Sequence, residues 1–287
     1  MTADLVSALV RALSFIALFQ AAGVVMFFAI FGRDLGEARQ PIRQLGRAAA
    51  IASIVLVLGH LSLEAARMAG ALSGAFDVSL QLLVLDSPMS IAAALRIAGA
   101  VAILTALTRT GADNAGRMYI GLAGTLLIIA GFLFVGHTAI HPDRAWLAAL
   151  LSLHLAVVAF WFGALMPLVM ITRHEHGTRA IQISERFSRI ATWWVPGILV
   201  AGLLLTLTLV DRWAVFREGY GQLLLVKLAG FMALMILAAL NKWRYVPGID
   251  QPATRVAFQR SVKAEYALIC VVLTATAIMT TFYSPES

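Results

Sequence analysis

Eight long apolar segments, separated by short polar ones, constrain this sequence more than any other feature. A helix rises about 1.5 Å per residue, so about 20 residues cross a hydrocarbon layer ~30 Å thick. A helix also satisfies its backbone hydrogen bonds internally, which a membrane interior requires. We therefore predict an all-α fold, a polytopic membrane helix bundle with eight transmembrane helices. The segments lie at about 5–31, 47–65, 90–108, 118–137, 145–172, 190–210, 222–241 and 264–283.

The composition agrees with a chain that is mostly embedded in lipid. Hydrophobic residues make up 61% of the sequence and charged residues only 13%, whereas soluble domains are about one quarter charged. Eight spans and short loops account for nearly all of the 287 residues. We therefore expect one transmembrane domain over residues 1–287 and no large soluble domain.

Basic residues are distributed unevenly between alternate loops. Fifteen lysines and arginines lie in or at the edge of the segments 32–46, 109–117, 173–189 and 242–263, against four in the other loops. The positive-inside rule makes the first set cytoplasmic, so both termini lie outside, N-out and C-out, as an even number of spans requires. The net charge of +7 is divided among these loops and forms no continuous patch. We therefore predict contact with the lipid bilayer and no nucleic-acid binding.

Ionisable residues inside the apolar segments are candidates for function, because their burial in a membrane is costly. The candidates are Arg11, His60, Glu64, Arg96, His154, Lys227 and Glu265. Arg11 and Lys227 lie near the outer boundary, where long basic side chains extend toward water. We expect Arg96, which is deeper, to pair with a carboxylate such as Glu64 or Asp86.

Four of the six histidines fall in the outer half of the membrane. His60 lies ~20 Å from the inner boundary and His137 at the outer one, while His154 is near the midplane and His141 is in an outer loop. Imidazole and thioether groups are ligands that copper favours. We therefore predict a copper site at His60, His137, His141, His154 and Met68, with Glu64, Arg96, Trp161, Met166 and Met170 as supporting or pathway residues.

Local spacing supports one part of this set. His60 and Glu64 are four residues apart and share a helix face, and Met68 continues that face if the helix extends so far. Packing alternatives stay open: a single membrane histidine also serves as a hydrogen-bonding group between helices, and most methionines fill core space. We expect His174 and His176, past the inner end of the fifth span, to be solvated loop residues.

At these residues the sequence resembles the copper resistance D (CopD) family. The similar stretches are Gly59-His60, 63–66, 68–70, Leu95-Arg96, 136–139, His154-Leu155 and 160–163. The resemblance implies eight spans and copper handling at the bacterial inner membrane, usually described as uptake, although some members are labelled exporters. It also implies a small periplasmic CopC-type copper-binding partner, which here would be a separate chain.

The leading functional hypothesis is a copper permease and not an enzyme. Copper, as Cu(I) or Cu(II), is captured outside by His141, His137 and Met68, passes to His60 and His154, and leaves past Met166 or Met170. The sequence contains no Walker-type phosphate-binding motif, so we expect a gradient, the membrane potential or a partner to drive the ion.

Two alternatives remain at this point. The first is a haem-binding electron-transfer protein in which His60 pairs with His154 or His137 across the iron. The second is a copper-binding sensor or assembly factor that moves no ion.

Overall fold

The regular structure of the chain is helical, which confirms the predicted all-α class. The computed structural model describes residues 2–108, 115–136, 142–175, 178–209 and 219–283, and of residues 207, 209 and 220 only the backbone. The α-helices within these ranges are α1 (Thr2–Phe31), α2 (Arg39–Met68), α3 (Val78–Leu85), α4 (Pro88–Thr108), α5 (Ala115–Ala130), α6 (Arg144–His174), α7 (Thr178–Leu209), α8 (Gly219–Leu240) and α9 (Pro252–Phe282). A π-helical turn, Asn241–Tyr245, continues α8.

Seven of these helices are long and apolar enough to cross a membrane: α1, α2, α4, α6, α7, α8 and α9. The remaining predicted span corresponds to α5, which has 16 residues. Helix α5 ends at Ala130, and the chain then turns through Gly131–Gly136 although the apolar run continues. Gly136 has a φ of +86°, a left-handed conformation that glycine adopts readily. Hydropathy alone does not register this helix end.

Three helices begin well before the apolar segments that predicted them. Helix α2 begins at Arg39, α7 at Thr178 and α9 at Pro252, whereas the apolar segments begin at about 47, 190 and 264. The predicted loops 32–46, 173–189 and 242–263 are therefore partly helical. Hydropathy marks the part of a helix that contacts lipid, but backbone hydrogen bonding carries the helix on into polar sequence.

The outer segment between α2 and α4 contains the short helix α3. The Asp77 carboxylate caps it by accepting hydrogen bonds from the Ser79 and Leu80 amides at 2.9 and 3.2 Å, as N-cap residues commonly do. The hydrogen bond from the Ser79 hydroxyl and those from the backbone lower the pKa of Asp77. Leu82, Leu83 and Leu85 are exposed, so α3 is apolar on most sides.

Helices α1 and α6 form the centre of the bundle. Helix α1 packs against α2, α6 and α9, and about three quarters of the apolar stretch of α1 and of α6 is buried. Gly23 and Gly163 lie where the two helices cross, and a Cβ atom at Gly23 would collide with the Ala159 carbonyl oxygen. Small residues allow such a close approach in membranes, where dispersion contacts hold helices together.

The first turns of α1 and the last turns of α2 and α9 meet at one end of the bundle. Arg11 of α1 contacts the Thr280 carbonyl oxygen at 2.7 Å, and Arg67 of α2 contacts that of Thr281 at 3.2 Å. At the other end, Glu175 after α6 accepts hydrogen bonds from the Gly36 and Ala38 amides at the start of α2. The beginning and end of the described chain therefore lie on the same side of the bundle.

Candidate functional site

His60 and Glu64 lie on one face of α2, as their spacing predicts. The His60 Nε2 atom is 3.4 Å from Glu64 Oε1, and His60 is 8% exposed. Helix α2 continues to Met68, which confirms the extension of this face, but Met68 is 58% exposed. The two polar groups thus sit inside the bundle, while the thioether lies at its outer edge.

Arg11 of α1 is the direct partner of His60. Its Nε atom donates to His60 Nε2 at 2.8 Å, and its Nη2 atom is 3.4 Å from Glu64 Oε1. A guanidinium group only donates, so Nε2 accepts and a neutral His60 carries its proton on Nδ1. The prediction that Arg11 extends freely toward water is therefore wrong, because His60 and Glu64 offer it acceptors inside the bundle and Thr280 offers another at the exposed end.

Further side chains complete the surroundings of Glu64. Arg67 Nη1 lies 3.0 Å from Glu64 Oε2, and Ser7 Oγ donates to Oε1 at 3.3 Å. Arg67 also contacts Asp4 through Nε at 3.2 Å. The charges of Arg11 and Arg67 are thus matched by those of Glu64 and Asp4, which reduces the cost of placing them in surroundings of low polarity. We name Asp4, Ser7, Arg11, His60, Glu64 and Arg67 the outer network.

Arg96 of α4 does not pair with Glu64 or Asp86 as predicted. Its Nη2 atom donates to the Gly131 carbonyl oxygen at 3.1 Å, and its guanidinium carbon lies 4.1 Å from the centre of the Phe132 ring. A cation at the C-terminal end of a helix is favourable, and an aromatic ring attracts it further. Arg96 therefore holds the end of α5, and Phe132 stacks on Phe19 of α1 with ring centres 5.4 Å apart.

His154 belongs to a different interface, between α6 and α7. Its Nδ1 atom is 3.3 Å from the Ile198 carbonyl oxygen. A carbonyl oxygen only accepts, so a neutral His154 carries its proton on Nδ1 and has a lone pair on Nε2. Such a bond commonly orients a histidine that binds a metal through its other nitrogen. His60 and His154 have different neighbours, and a pairing across one haem iron finds no support in them.

The remaining predicted site residues fall into three groups. His137 and His141 lie outside the described residues, as does His176. Met166 and Met170 are partly buried against the hydrophobic core, while Trp161 lines a cavity at the other end of the bundle. Among the described residues, His, Cys, Asp and Glu side chains form no group of three or more that could hold a metal ion.

Sequence reasoning missed the roles of four outer-network residues, Asp4, Ser7, Arg11 and Arg67. The sequence identifies Arg11 as an intramembrane charge but places it at the boundary, and no pattern in the sequence pairs Asp4, Ser7 or Arg67 with Glu64. The available signal was the presence of one cationic and one anionic residue, Arg11 and Glu64, at similar depth in neighbouring segments of the chain. That signal indicates only the depth of the two residues in the membrane. Their pairing also requires α1 and α2 to pack with the faces that carry Arg11 and Glu64 toward each other.

Two family models match this chain in succession. The model described as "Copper resistance protein D-like, N-terminal domain" matches residues 1–145, and "Copper resistance protein D" matches residues 181–279. The chain belongs to the copper resistance protein D family. The outer network of this CopD-family chain lies within the first match, and Thr280 directly follows the second.

Curated relatives of this CopD-family chain come from three bacteria. The Bacillus subtilis "Copper transport protein CutJ" is 28% identical over 200 residues, 68% of this chain and 36% of the relative. The Escherichia coli "Inner membrane protein YebZ" is 32% identical over 135 residues, 45% of this chain and 47% of the relative. The Pseudomonas syringae "Copper resistance protein D" is 26% identical over 236 residues, 78% of this chain and 76% of the relative.

The chain thus spans less than half the length of the first two of these relatives. No solved structure matches it. The apolar helices and the inner-membrane relative together identify this CopD-family chain as a multi-pass inner-membrane protein.

Proposed function

We propose that this protein is a permease that carries copper across the bacterial inner membrane, from the periplasm to the cytoplasm. The observation that carries the proposal is the buried His60, whose Nε2 atom already binds a cationic group, the Arg11 guanidinium, at 2.8 Å. Family membership supports it, as does the name of one relative, a copper transport protein. In this proposal copper is the cargo and the protein performs no covalent chemistry.

We further propose eight spans with both termini in the periplasm. The contacts of Arg11 and Arg67 with the end of α9 support a common side for the two termini. Helix α5 then supplies the eighth crossing, completed by the turn after Ala130. The loops rich in lysine and arginine are on the opposite side, where the positive-inside rule assigns the cytoplasm.

Arg11 and copper compete for the same atom in this mechanism. The lone pair of His60 Nε2 accepts either a hydrogen bond from Arg11 or a bond to Cu(I), but not both. An arriving copper ion therefore displaces Arg11 Nε, while Glu64 and the Thr280 carbonyl oxygen keep the guanidinium nearby. When the ion leaves, Arg11 returns. A site that exchanges one cation for another meets the need of a permease to bind its ion and also release it.

The other predicted residues extend the path on both sides of His60. His137, His141 and Met68 capture copper in the periplasm, where a separate CopC-type protein delivers it. His154 offers its Nε2 atom near the midplane, and Met166 and Met170 offer thioethers on the way to the cytoplasm. Thioether and imidazole ligands favour Cu(I) as the form that moves.

Copper uptake into proteoliposomes tests the proposal. We expect His60→Ala and His154→Ala to remove protein-dependent uptake while the helix content stays as in the unmodified protein. Glu64→Gln should weaken copper binding by roughly 10–100-fold, as loss of a partner of a metal ligand does. The matched control is His174→Ala, because His174 is a histidine bonded to the Met170 carbonyl oxygen at the other end of α6.

Three outcomes would overturn the permease. Uptake by His60→Ala equal to that of the unmodified protein would remove the proposed site. Copper binding without protein-dependent uptake would make the protein a sensor or assembly factor. A strong Soret band with nearly one haem per chain in the purified protein would favour the electron-transfer alternative.

A further inference from the structure

A cavity of about 190 Å³ lies between α6, α7, the end of α8 and α9. It is at the opposite end of the bundle from the outer network, on the side that we assign to the cytoplasm. Its walls are largely apolar, but Ser184, Asn241 and Glu265 line it inside the bundle. Thr192 and Trp243 also line it and are exposed, so the cavity reaches the protein surface.

Glu265 of α9 is a buried carboxyl group with neutral hydrogen-bonding neighbours. It is 2% exposed, accepts a hydrogen bond from Asn241 Nδ2, and lies beside Trp161. Glu64 has two arginine partners, whereas no Lys or Arg side chain of the described residues forms an ion pair with Glu265. An ionised carboxylate is costly in such surroundings unless a cation accompanies it. These surroundings favour the protonated form of Glu265.

Two nearly buried polar atoms indicate that the cavity contains water. Within the described part of the chain, Asn241 Oδ1 and Ser184 Oγ have no hydrogen-bond partner. Buried polar atoms are almost always partnered, by ordered water where the protein supplies no group. Asn241 also begins the π-helical turn Asn241–Tyr245, a rare conformation that is frequent at functional sites. Water in the cavity provides a path from the surface to the Glu265 carboxyl group.

We propose that Glu265 is a proton-exchange site that opens to the cytoplasm through this cavity, and that its proton is exchanged as copper moves. The O–H bond of the carboxyl group breaks, the proton passes to water in the cavity, and the reverse step restores the acid. The coupling to copper rests on the proposed permease function, whereas the proton-exchange site does not depend on that function.

Few charged side chains of the described residues lie near Glu265. Lys242 is the one charged side chain besides Glu265 among the residues described as lining the cavity, and its Nζ atom donates to Thr192 Oγ1 at 2.9 Å. Glu185 and Arg186 of α7 and Lys263 of α9 are exposed and do not line it. The stretches 12–31 of α1 and 155–172 of α6 contain no titratable residue. A pH response of a buried carboxyl group in this region therefore belongs to Glu265.

Infrared difference spectroscopy of the copper-free protein in lipid nanodiscs tests the exchange site. We expect a carbonyl band of a protonated carboxyl group that disappears on alkalinisation, shifts in D₂O and is absent from Glu265→Gln. The matched control is Glu185→Gln, which removes an exposed carboxyl group one residue from Ser184 and should leave the band unchanged. Absence of the band from the unmodified protein, or its persistence in Glu265→Gln, would overturn the proposal.

A second variant tests the route and does not depend on the folding of Glu265→Gln. Ser184→Leu keeps Glu265 but fills part of the cavity, and it should slow deuterium exchange of the same band. Exchange as fast as in the unmodified protein would overturn the route through the cavity.

Copper uptake under an imposed pH gradient tests the coupling. We expect the dependence of uptake on the gradient to be lost in Glu265→Gln, while copper binding at the outer site is retained. If copper uptake by Glu265→Gln depended on the pH gradient as in the unmodified protein, the coupling would be overturned. The exchange site shown by infrared spectroscopy would not be affected. Absence of uptake from the unmodified protein would instead overturn the permease.

Discussion

At the residue scale, Arg11 connects three helices through one planar group. Its nitrogens reach His60 and Glu64 of α2 and the Thr280 carbonyl oxygen of α9. Arginine suits this role because its five donors have a fixed fork-like arrangement, whereas lysine offers one compact ammonium group. The contacts therefore combine electrostatic balance with a fixed orientation of the His60 ring.

We expect Arg11→Met to be strongly destabilising, because it leaves Glu64 with a single arginine partner. The expected loss in the free energy of unfolding is about 3 kcal/mol, in the range for breaking a buried ion pair. Combining it with Glu64→Gln should cost less than the sum of the two single changes, since both remove the same interaction. Unfolding in detergent micelles measures all three variants.

The control for this cycle is Arg260→Met, which removes an exposed arginine from α9. Its effect should stay within about 0.5 kcal/mol, as for most surface substitutions. Additive effects of Arg11→Met and Glu64→Gln would contradict the coupling seen in the outer network.

Glu175 is a second residue whose role depends on burial. It is 4% exposed and accepts from the Gly36 amide at 2.7 Å, the Ala38 amide at 3.1 Å and Arg179 at 3.1 Å. Burial alone would raise the pKa of Glu175, but these hydrogen bonds and the Arg179 charge outweigh it and lower the pKa below its ordinary value of 4.5. The carboxylate thus stabilises the start of α2 in its ionised form.

This lowered pKa predicts a specific acid sensitivity. A lowered folded-state pKa contributes stability that is present above pH 4.5 and is lost as the pH falls through the folded-state value. Melting temperatures measured from neutral to acid pH should therefore fall less steeply in Glu175→Gln, which is already less stable at neutral pH. Parallel profiles for the two proteins would contradict this role, and Glu185→Gln is the exposed control.

At the scale of helices, α1 and α6 cross with their backbones in close contact in the centre of the bundle. A Cβ atom at Gly23 would meet backbone atoms of Ala159 and Gly163, and one at Gly163 would meet those of Gly23. Backbone cannot move aside as a flexible side chain can, so the two helices must separate if either glycine is replaced.

We expect opposite effects from two Gly→Ala substitutions. Gly23→Ala should destabilise the protein by about 1–3 kcal/mol through overpacking, with a visible loss of folded protein in detergent. Gly59→Ala on α2 is the matched control, because its Cβ atom meets only Val10 Cγ1 at 3.9 Å, and alanine favours the helix by about 1 kcal/mol. Equal thermal stability of the two variants would contradict the close crossing.

At the scale of the whole molecule, the number of crossings and their direction can be measured by cysteine labelling. The only native cysteine is Cys270, which is replaced first. Phe76 and Pro142 are exposed in segments assigned to the periplasm, and Ala115 and Glu185 in segments assigned to the cytoplasm. A maleimide that does not cross membranes should label Phe76→Cys and Pro142→Cys in intact spheroplasts, but the other two only after permeabilisation.

Each pair of positions tests a separate part of the proposed topology. Labelling of Ala115→Cys from outside would place the start of α5 in the periplasm and remove the eighth span. A reversed pattern at all four positions would invert the orientation and with it the proposed direction of capture.

Apolar length and loop charge are enough to predict the class of the molecule and the approximate depth of its polar groups. Apolar runs of sufficient length predict helices in lipid, because a helix satisfies its backbone hydrogen bonds within the segment. Helical spacing placed His60, Glu64 and Met68 on one face, since four residues make about one turn. The apolar pattern does not show where α2, α7 and α9 begin or where α5 ends. Hydropathy changes at the lipid boundary and not where backbone hydrogen bonding stops.

Which groups of similar depth become neighbours depends on how the helices pack. Arg11 binds His60 and Glu64 because α1 and α2 turn those faces toward each other, while Arg96 binds the end of α5 instead of a carboxylate. Glu265 lies beside a cavity, and no lysine or arginine of the described residues forms an ion pair with it. The position of a residue along its helix follows from the one-dimensional sequence pattern. Contact between residues of different helices depends on how several helices pack together, and therefore on the structure of the whole molecule.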